Sequence, residues 1–186
     1  MGAIMALGHN LIKLNLGSGP HREPTWLNVD VYRACYCESC LQDGPDLVCD
    51  IRKLPFEDGC ASRVMLGHVL EHLPEDDVVP FLQDVKRFLA PGGKVCIVGP
   101  CFDKATALVE AGDPCDMRPA IWPGSNSFEN EKYPGEGHQW YPTTDAHLEL
   151  VRQVFPDATE VHLDDVPEEW PFVRFLYWQF CVMADA

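Results

Sequence analysis

Two glycines one residue apart, Gly17 and Gly19, close a short apolar run, and an aspartate, Asp30, ends the next one. Glycine tolerates positive φ and lets the backbone approach a ligand closely. A carboxylate at a strand end can accept hydrogen bonds from both hydroxyls of a ribose. The cysteines are a second chemical cluster. Cys35, Cys37 and Cys40 fall within six residues, and Cys49 follows downstream. Such thiols could ligate zinc. The paired spacing of a zinc site is missing, however, and Cys49 lies in an expected buried strand. The cluster therefore reads as reduced surface thiols, with no metal expected.

These residues need a scaffold. Residues 11–16 alternate and run into Gly17, the pattern of a strand ending in a tight turn. Residues 27–31, 46–50 and 62–66 read as three more strands. Pro74, Glu75, Asp76 and Asp77 suit the first turn of a helix. Val78, Phe81, Leu82, Val85, Phe88 and Leu89 then recur on one helical face. Pro80 predicts a kink or a later start, and Pro91-Gly92-Gly93 a stop. Residues 94–99 form a fifth, continuously apolar strand, as in a buried parallel sheet. Thr144 is a candidate cap for a helix through Leu148, Val151 and Val154. Residues 159–163 and 176–183 read as the last two strands. Alternating strands and helices imply an α/β fold, a mostly parallel sheet with the final strands at one edge.

The chain has 186 residues and a formal net charge of −15. That length suits one domain over residues 1–186. The charge argues against duplex nucleic acid and against an anionic membrane surface as partners. Residues 112–142 carry five prolines and the aromatics Trp122, Tyr133, Trp140 and Tyr141. So long a loop is usually functional, and it reads as a lid-like insertion. No basic-then-apolar leader is visible, and the N-terminus lacks the Ser or Thr of a myristoylation site, with Ala6 in its place. With nine cysteines, this points to a reducing cytoplasm.

A dinucleotide site would need a third glycine and an acidic residue about 20 positions on. The third glycine is absent, and Asp30 lies only thirteen residues after Gly17. That gap also leaves no room for the helix whose N-terminus a pyrophosphate prefers. The pattern therefore favours an adenosine with an uncharged or cationic tail.

Five blocks carry a family resemblance. They are Leu14-Asn15-Leu16-Gly17-Ser18-Gly19, Trp26-Leu27-Asn28-Val29-Asp30, Asp50-Ile51-Arg52-Lys53-Leu54-Pro55-Phe56, His68-Val69-Leu70-Glu71-His72-Leu73 and Arg87-Phe88-Leu89-Ala90-Pro91-Gly92-Gly93. In this order and spacing they resemble the class I S-adenosylmethionine-dependent methyltransferases, in the subgroup with a short first loop. The resemblance implies a Rossmann-like α/β domain with a mostly parallel seven-stranded sheet and helices on both faces. It also implies S-adenosylmethionine as cofactor. Asn15, Gly17, Ser18 and Gly19 would face its methionine and ribose portions, Asp30 its ribose hydroxyls and Val31 the adenine ring. Asp50 would accept from the adenine amino group while the Ile51 N–H donates to the ring. Gly67 and His68 would line the methionyl end. Ser18 replaces the family's commoner cysteine.

A methyltransferase chiefly aligns nucleophile, methyl and sulfur. A hydroxyl or amine acceptor also needs a base of near-neutral pKa. His68, Asp103 and His138 are the candidates, with a structural role for His138 as the alternative. The implied acceptor is a small molecule or a glycan. A binding domain that has lost catalysis, and another transferase using the same cofactor, remain open readings. The apolar strand at residues 176–180 suits core or a homodimer contact.

Overall fold

The computed structural model describes residues 11–19, 22–31, 44–114, 116–118, 137–140, 143–170 and 178–186. Seven strands form one sheet. In chain order they are β1 (Ile12–Leu16), β2 (Leu27–Asp30), β3 (Leu47–Val48), β4 (Ala61–Gly67), β5 (Leu89–Pro100), β6 (Thr159–Glu160) and β7 (Gln179–Asp185). Their order across the sheet is β3-β2-β1-β4-β5-β7-β6. β1 to β5 pair in parallel, and β7 runs antiparallel to both β5 and β6. The chain order reverses between β1 and β4, so the carboxyl edge opens a crevice there, where ligands of open α/β sheets sit. The mostly parallel seven-stranded α/β sheet expected from the sequence is thus the fold observed.

Three helices are described, α1 (Glu75–Phe88), α2 (Phe102–Glu110) and α3 (Thr144–Arg152). α1 buries Val78, Phe81, Leu82, Val85 and Phe88, as its periodicity predicts. These pack with Leu14, Leu16, Val64, Leu66, Val95 and Ile97 from the sheet and with Val151 of α3 in the main core. Alternate residues of the same strands point the other way. Met65, Cys96, Val98 and Cys181 meet Trp26 and Trp170 there in a smaller cluster, whose indole centroids lie 5.5 Å apart. Cys96 and Cys181 are core residues, as expected. Lys86 of α1 donates to the Val154 carbonyl at 2.8 Å, tying α1 to the end of α3.

Several boundaries differ from the sequence expectation. α1 starts at Glu75 and runs unbroken through Pro80. Pro80 is exposed, so the carbonyl its missing N–H leaves unmatched can turn to water. Thr143, not Thr144, caps α3, accepting from the Ala146 N–H at 3.1 Å. Its extended backbone suits a cap, whereas Thr144 is already helical and buried. β5 begins at Leu89, and its pairing with β4 steps from Ala61↔Leu89 to Arg63↔Lys94. Pro91-Gly92-Gly93 is therefore a bulge within the strand, with Gly92 at φ 76. β3 and β6 shrink to two residues each. Cys49 falls just beyond β3, half-buried, with its thiol 3.6 Å from the Asp50 carbonyl. Cys35, Cys37 and Cys40 lie outside the described residues, as do Trp122, Tyr133 and Tyr141 and most of the 112–142 insertion. Among the described residues, no helix is long and apolar enough to cross a membrane.

Candidate active site

The turn after β1 is built for close approach. Gly17 and Gly19 both have positive φ, 67 and 49. The Gly17 and Ser18 N–H groups donate to the Val29 carbonyl at 2.8 and 3.1 Å. The Gly19 N–H donates to Asp30 Oδ2 at 2.8 Å. A methyl group at Gly17 would come within 2.6 Å of Val69 Cγ2, so the turn after β4 sits directly on the glycine loop. Ser18 is 4% exposed, and its hydroxyl has no partner among the described residues. A buried hydroxyl without a partner is costly, which marks this loop as a place where a polar ligand is wanted.

Beneath the loop, Asn28 forms a buried hub. Its Oδ1 accepts from Asn15 Nδ2 at 3.0 Å and from the Glu23 N–H at 2.8 Å. Its Nδ2 donates to the Glu23 and Trp26 carbonyls, both at 3.0 Å, and to Asp46 Oδ2 at 2.7 Å. Asn15 therefore supports the loop from below, and Asp30 is presented at the end of β2 on a fixed backbone.

Asp50 caps the short helical turn Ile51–Lys53, accepting from the Arg52 N–H at 3.0 Å. Arg52 also grips the carboxylate with Nε at 3.0 Å and a terminal nitrogen at 2.8 Å. Those bonds, with the nearby positive charge, hold its pKa below the usual carboxylate value despite partial burial. An adenine amino group at Asp50 would share the carboxylate with Arg52. Val31 lies just past Asp30 and is 53% exposed, an apolar surface at the same edge.

Past β4, the chain enters a second constellation at the crevice. His68 has φ 55, the sole non-glycine residue with positive φ among those described. Its N–H donates to the Val98 carbonyl at 2.8 Å. The short turn Leu70–His72 then places Glu71 under it, with His68 Nδ1 3.3 Å from Glu71 Oε1. His72 Nε2 lies 3.9 Å from the same oxygen, and the His138 ring centroid is 5.1 Å from that of His72. Glu71 is 1% exposed. Burial pushes its pKa up, but the nearby imidazoles of His68, His72 and His138 prevail and bring it down to about 2. A methyl at Gly99 would lie 2.7 Å from Phe180, so this glycine makes room for the Phe180 ring.

The segment carrying His138 is fastened to this turn. The Gln139 N–H donates to the Glu71 carbonyl at 2.7 Å, and Trp140 Nε1 donates to the Leu70 carbonyl at 3.0 Å. Trp140 is buried against the His147 ring, so this aromatic of the insertion serves packing. His147 donates from Nδ1 to the Thr143 carbonyl at 2.8 Å, and burial pushes its pKa down to about 4. Asp103 stands in the first turn of α2 and accepts from the Cys101 thiol at 2.8 Å. Burial, then that carboxylate, raise the Cys101 pKa to about 11, so the thiol stays protonated.

The glycine loop, Asp30, Asp50 and Ile51, Gly67 and His68, and Asp103 all lie at the carboxyl edge of the parallel strands. His68 and His138 are joined through Glu71. Glu71, Gln179 and His147 were not singled out from the sequence. The three-residue spacing of His68 and Glu71 in one tight turn is the signal that could have found the first.

Comparison with known proteins fits this geometry. Residues 14–97 match the family described as a methyltransferase domain. The chain has the class I S-adenosylmethionine-dependent methyltransferase fold. The resemblance read from the five sequence blocks holds, and the matched residues run from β1 into β5. A ubiquinone/menaquinone biosynthesis C-methyltransferase of Bordetella avium is 30% identical over 128 residues, 64% of this chain and 48% of that protein. The chain thus spans about half the length of the curated relatives it matches. A SAM-dependent methyltransferase from Archaeoglobus fulgidus superposes with a TM-score of 0.60 at 14% identity, covering 96% of this chain and 87% of that one. Human N-acetylserotonin methyltransferase, solved in complex with SAM, gives 0.54 at 13% identity, over 94% of this methyltransferase-fold chain and 47% of that chain.

Proposed function

We propose that this chain binds S-adenosylmethionine across the glycine loop and Asp30 and is a methyltransferase for a small-molecule or glycan-type acceptor. The observation that carries the reading is the loop itself: Gly17 pressed on Val69, the Gly19 N–H fixed on Asp30, and a buried Ser18 hydroxyl lacking a partner. These residues fit the cofactor's polar, uncharged ribose and its zwitterionic methionine end. When bound there, the sulfonium supplies an activated methyl group, so the protein needs no strong electrophile of its own.

The chain's residues have the remaining tasks. Asp30 can accept from ribose hydroxyls, since a carboxylate offers about four lone-pair directions and Gly19 occupies one. Val31 offers an apolar surface beside it. The loop holds one end of the site while the turn from His68 to Leu73 walls the other, which fixes approach and alignment. Overall acidity and the absence of a basic cluster favour an uncharged or cationic acceptor over a nucleic acid.

Calorimetric titration with S-adenosylmethionine and S-adenosylhomocysteine tests this. Micromolar binding that Asp30→Ala weakens about 10-fold or more is expected, since losing a charged acceptor costs about 1.5–3 kcal/mol. Failure of the folded protein to bind either ligand would leave an interaction domain on this fold.

A further inference from the structure

We propose that Glu71, His72 and His138 form a zinc-binding site at the turn after β4. One carboxylate oxygen of Glu71 and one imidazole nitrogen from each histidine lie within 4.8 Å of one another. Ligands of a tetrahedral zinc stand about 3.3–3.6 Å apart, so the set closes by about 1 Å around an ion. Glu71 is the centre of the site. Its side chain is 1% exposed, and neither carboxylate oxygen has a hydrogen bond among the described residues. Carboxylates are buried at a high cost unless they are paired or coordinate a metal. The imidazoles of His68 and His72 stand at 3.3 and 3.9 Å from Oε1, long for ion pairs. An ion held between Glu71, His72 and His138 gives the carboxylate the close contact it lacks.

The fold brings the third ligand in from far along the chain and pins it. The Gln139 N–H donates to the Glu71 carbonyl at 2.7 Å, and Trp140 Nε1 to the Leu70 carbonyl at 3.0 Å. Both acceptors belong to the turn that carries the other two ligands. His138, next to Gln139, is thereby set with its ring centroid 5.1 Å from that of His72. The donor set decides the metal. Two imidazoles and a carboxylate suit zinc, whereas magnesium and calcium take oxygen donors. Three protein ligands leave the fourth tetrahedral position open, as in catalytic zinc sites. The His72 side chain is 38% exposed, which gives an ion a way in from solvent. His68 is not one of the three. Its ring meets Trp178, at 6.1 Å between centroids, and the Gln179 side chain. Val69, two residues before Glu71, rests on Gly17, so the ion sits beside the cofactor loop and uses none of its residues. Zinc binding here therefore requires no bound cofactor, and the site is separate from the cysteines at 35, 37 and 40.

The test uses the full chain without an affinity tag, carrying Cys35→Ser, Cys37→Ser and Cys40→Ser so that those thiols do not compete. The protein is stripped with a chelator and titrated with zinc chloride against a chromophoric zinc indicator. One equivalent bound with micromolar or tighter affinity is expected. His72→Ala and His138→Ala should each weaken binding by more than the roughly 10–100-fold that loss of an outer-shell partner costs. X-ray absorption at the zinc edge should show nitrogen and oxygen neighbours at about 2.0–2.1 Å and no sulfur at about 2.3 Å. Glu71→Gln should also lose the ion. Should that buried variant fail to fold by circular dichroism, the two histidine variants, both at partly exposed positions, decide the matter. Zinc bound only at millimolar concentration, sulfur in the zinc shell, full affinity in either histidine variant, or a preference for magnesium would overturn the site. S-adenosylhomocysteine is titrated in parallel. Zinc uptake without binding of that ligand refutes the methyltransferase reading and leaves the metal site standing, and the converse refutes the metal site alone.

Discussion

Replacing Gly17 by alanine adds one methyl group, and two separate consequences can be worked from the structure. The backbone stands at φ 67, where an L side chain costs about 1–2 kcal/mol. The new Cβ would also lie 2.6 Å from Val69 Cγ2, well inside van der Waals contact. Val69 is 5% exposed and β-branched, so it cannot swing away freely. Overpacking of this kind costs about 1–3 kcal/mol. Gly17→Ala should therefore lower unfolding stability by about 2–5 kcal/mol, a large share of a typical domain's total. Urea unfolding of four proteins separates the parts: native, Gly17→Ala, Val69→Ala and the double variant. The clash is a pairwise effect, so the double variant should recover about 1 kcal/mol or more relative to additivity. The backbone part should remain. A single-variant loss below about 0.5 kcal/mol, or strict additivity in the cycle, would refute the claim that the turn after β4 is seated on the glycine loop.

Two further outcomes follow from burial and helix geometry. His147 is buried with its pKa lowered from 6.5 to about 4. The unfolded chain takes its proton first as pH falls, so stability is full above the unfolded value and declines between the two. The linkage amounts to roughly 3 kcal/mol. Urea midpoints measured across that window should fall, and His147→Phe should flatten the decline; an unchanged slope in the variant would locate the effect elsewhere. Pro80 sits exposed inside α1, where its missing N–H and ring crowding cost up to about 3 kcal/mol, partly offset by its stiffening of the unfolded chain. Pro80→Ala should stabilise the protein by about 2 kcal/mol in urea unfolding, and a destabilised variant would show that the ring makes favourable contacts.

The parallel sheet and the cofactor loop were readable in the sequence because both depend on local signals. Alternation and apolar runs fix strands, and paired glycines with Asp30 at the next strand end fix the loop. α2 was not readable, since Ala105 is its one buried residue and a helix with so narrow a buried face gives little apolar periodicity. β3 and β6 are shorter than their composition suggests because pairing, not composition, decides where a short edge strand ends. Thr143 and Thr144 are indistinguishable as caps until the backbone shows which of them is extended. Glu71 escaped notice because an isolated acid in a tight turn looks like a surface residue. Its burial depends on contacts distant in sequence, among them the 137–140 segment whose Gln139 N–H and Trp140 Nε1 bond its turn. Gln179 is brought near the site only by the pairing of β7 with β5, and His147 only by the packing of α3, where its ring meets Trp140 and Phe180; local sequence carries no trace of either.

The antiparallel insertion of β7 between β5 and β6 has a consequence for how the chain must emerge and settle. In the sheet, β6 pairs only with β7, and β5 meets β4 on one side and β7 on the other. Residues 94 and 185 pair with one another, at the far end of a long loop closure. During synthesis β5 therefore presents an open, apolar edge for the whole time that residues 101–178 are being made. An open edge of that kind invites pairing with another chain, and such transient species are the ones that aggregate. Trp178 and Gln179 also arrive only with β7, so the surroundings of His68 are the last part of the site to be assembled. A ribosome-stalled chain ending before residue 179 should hold the glycine loop yet lack its completed His68 pocket.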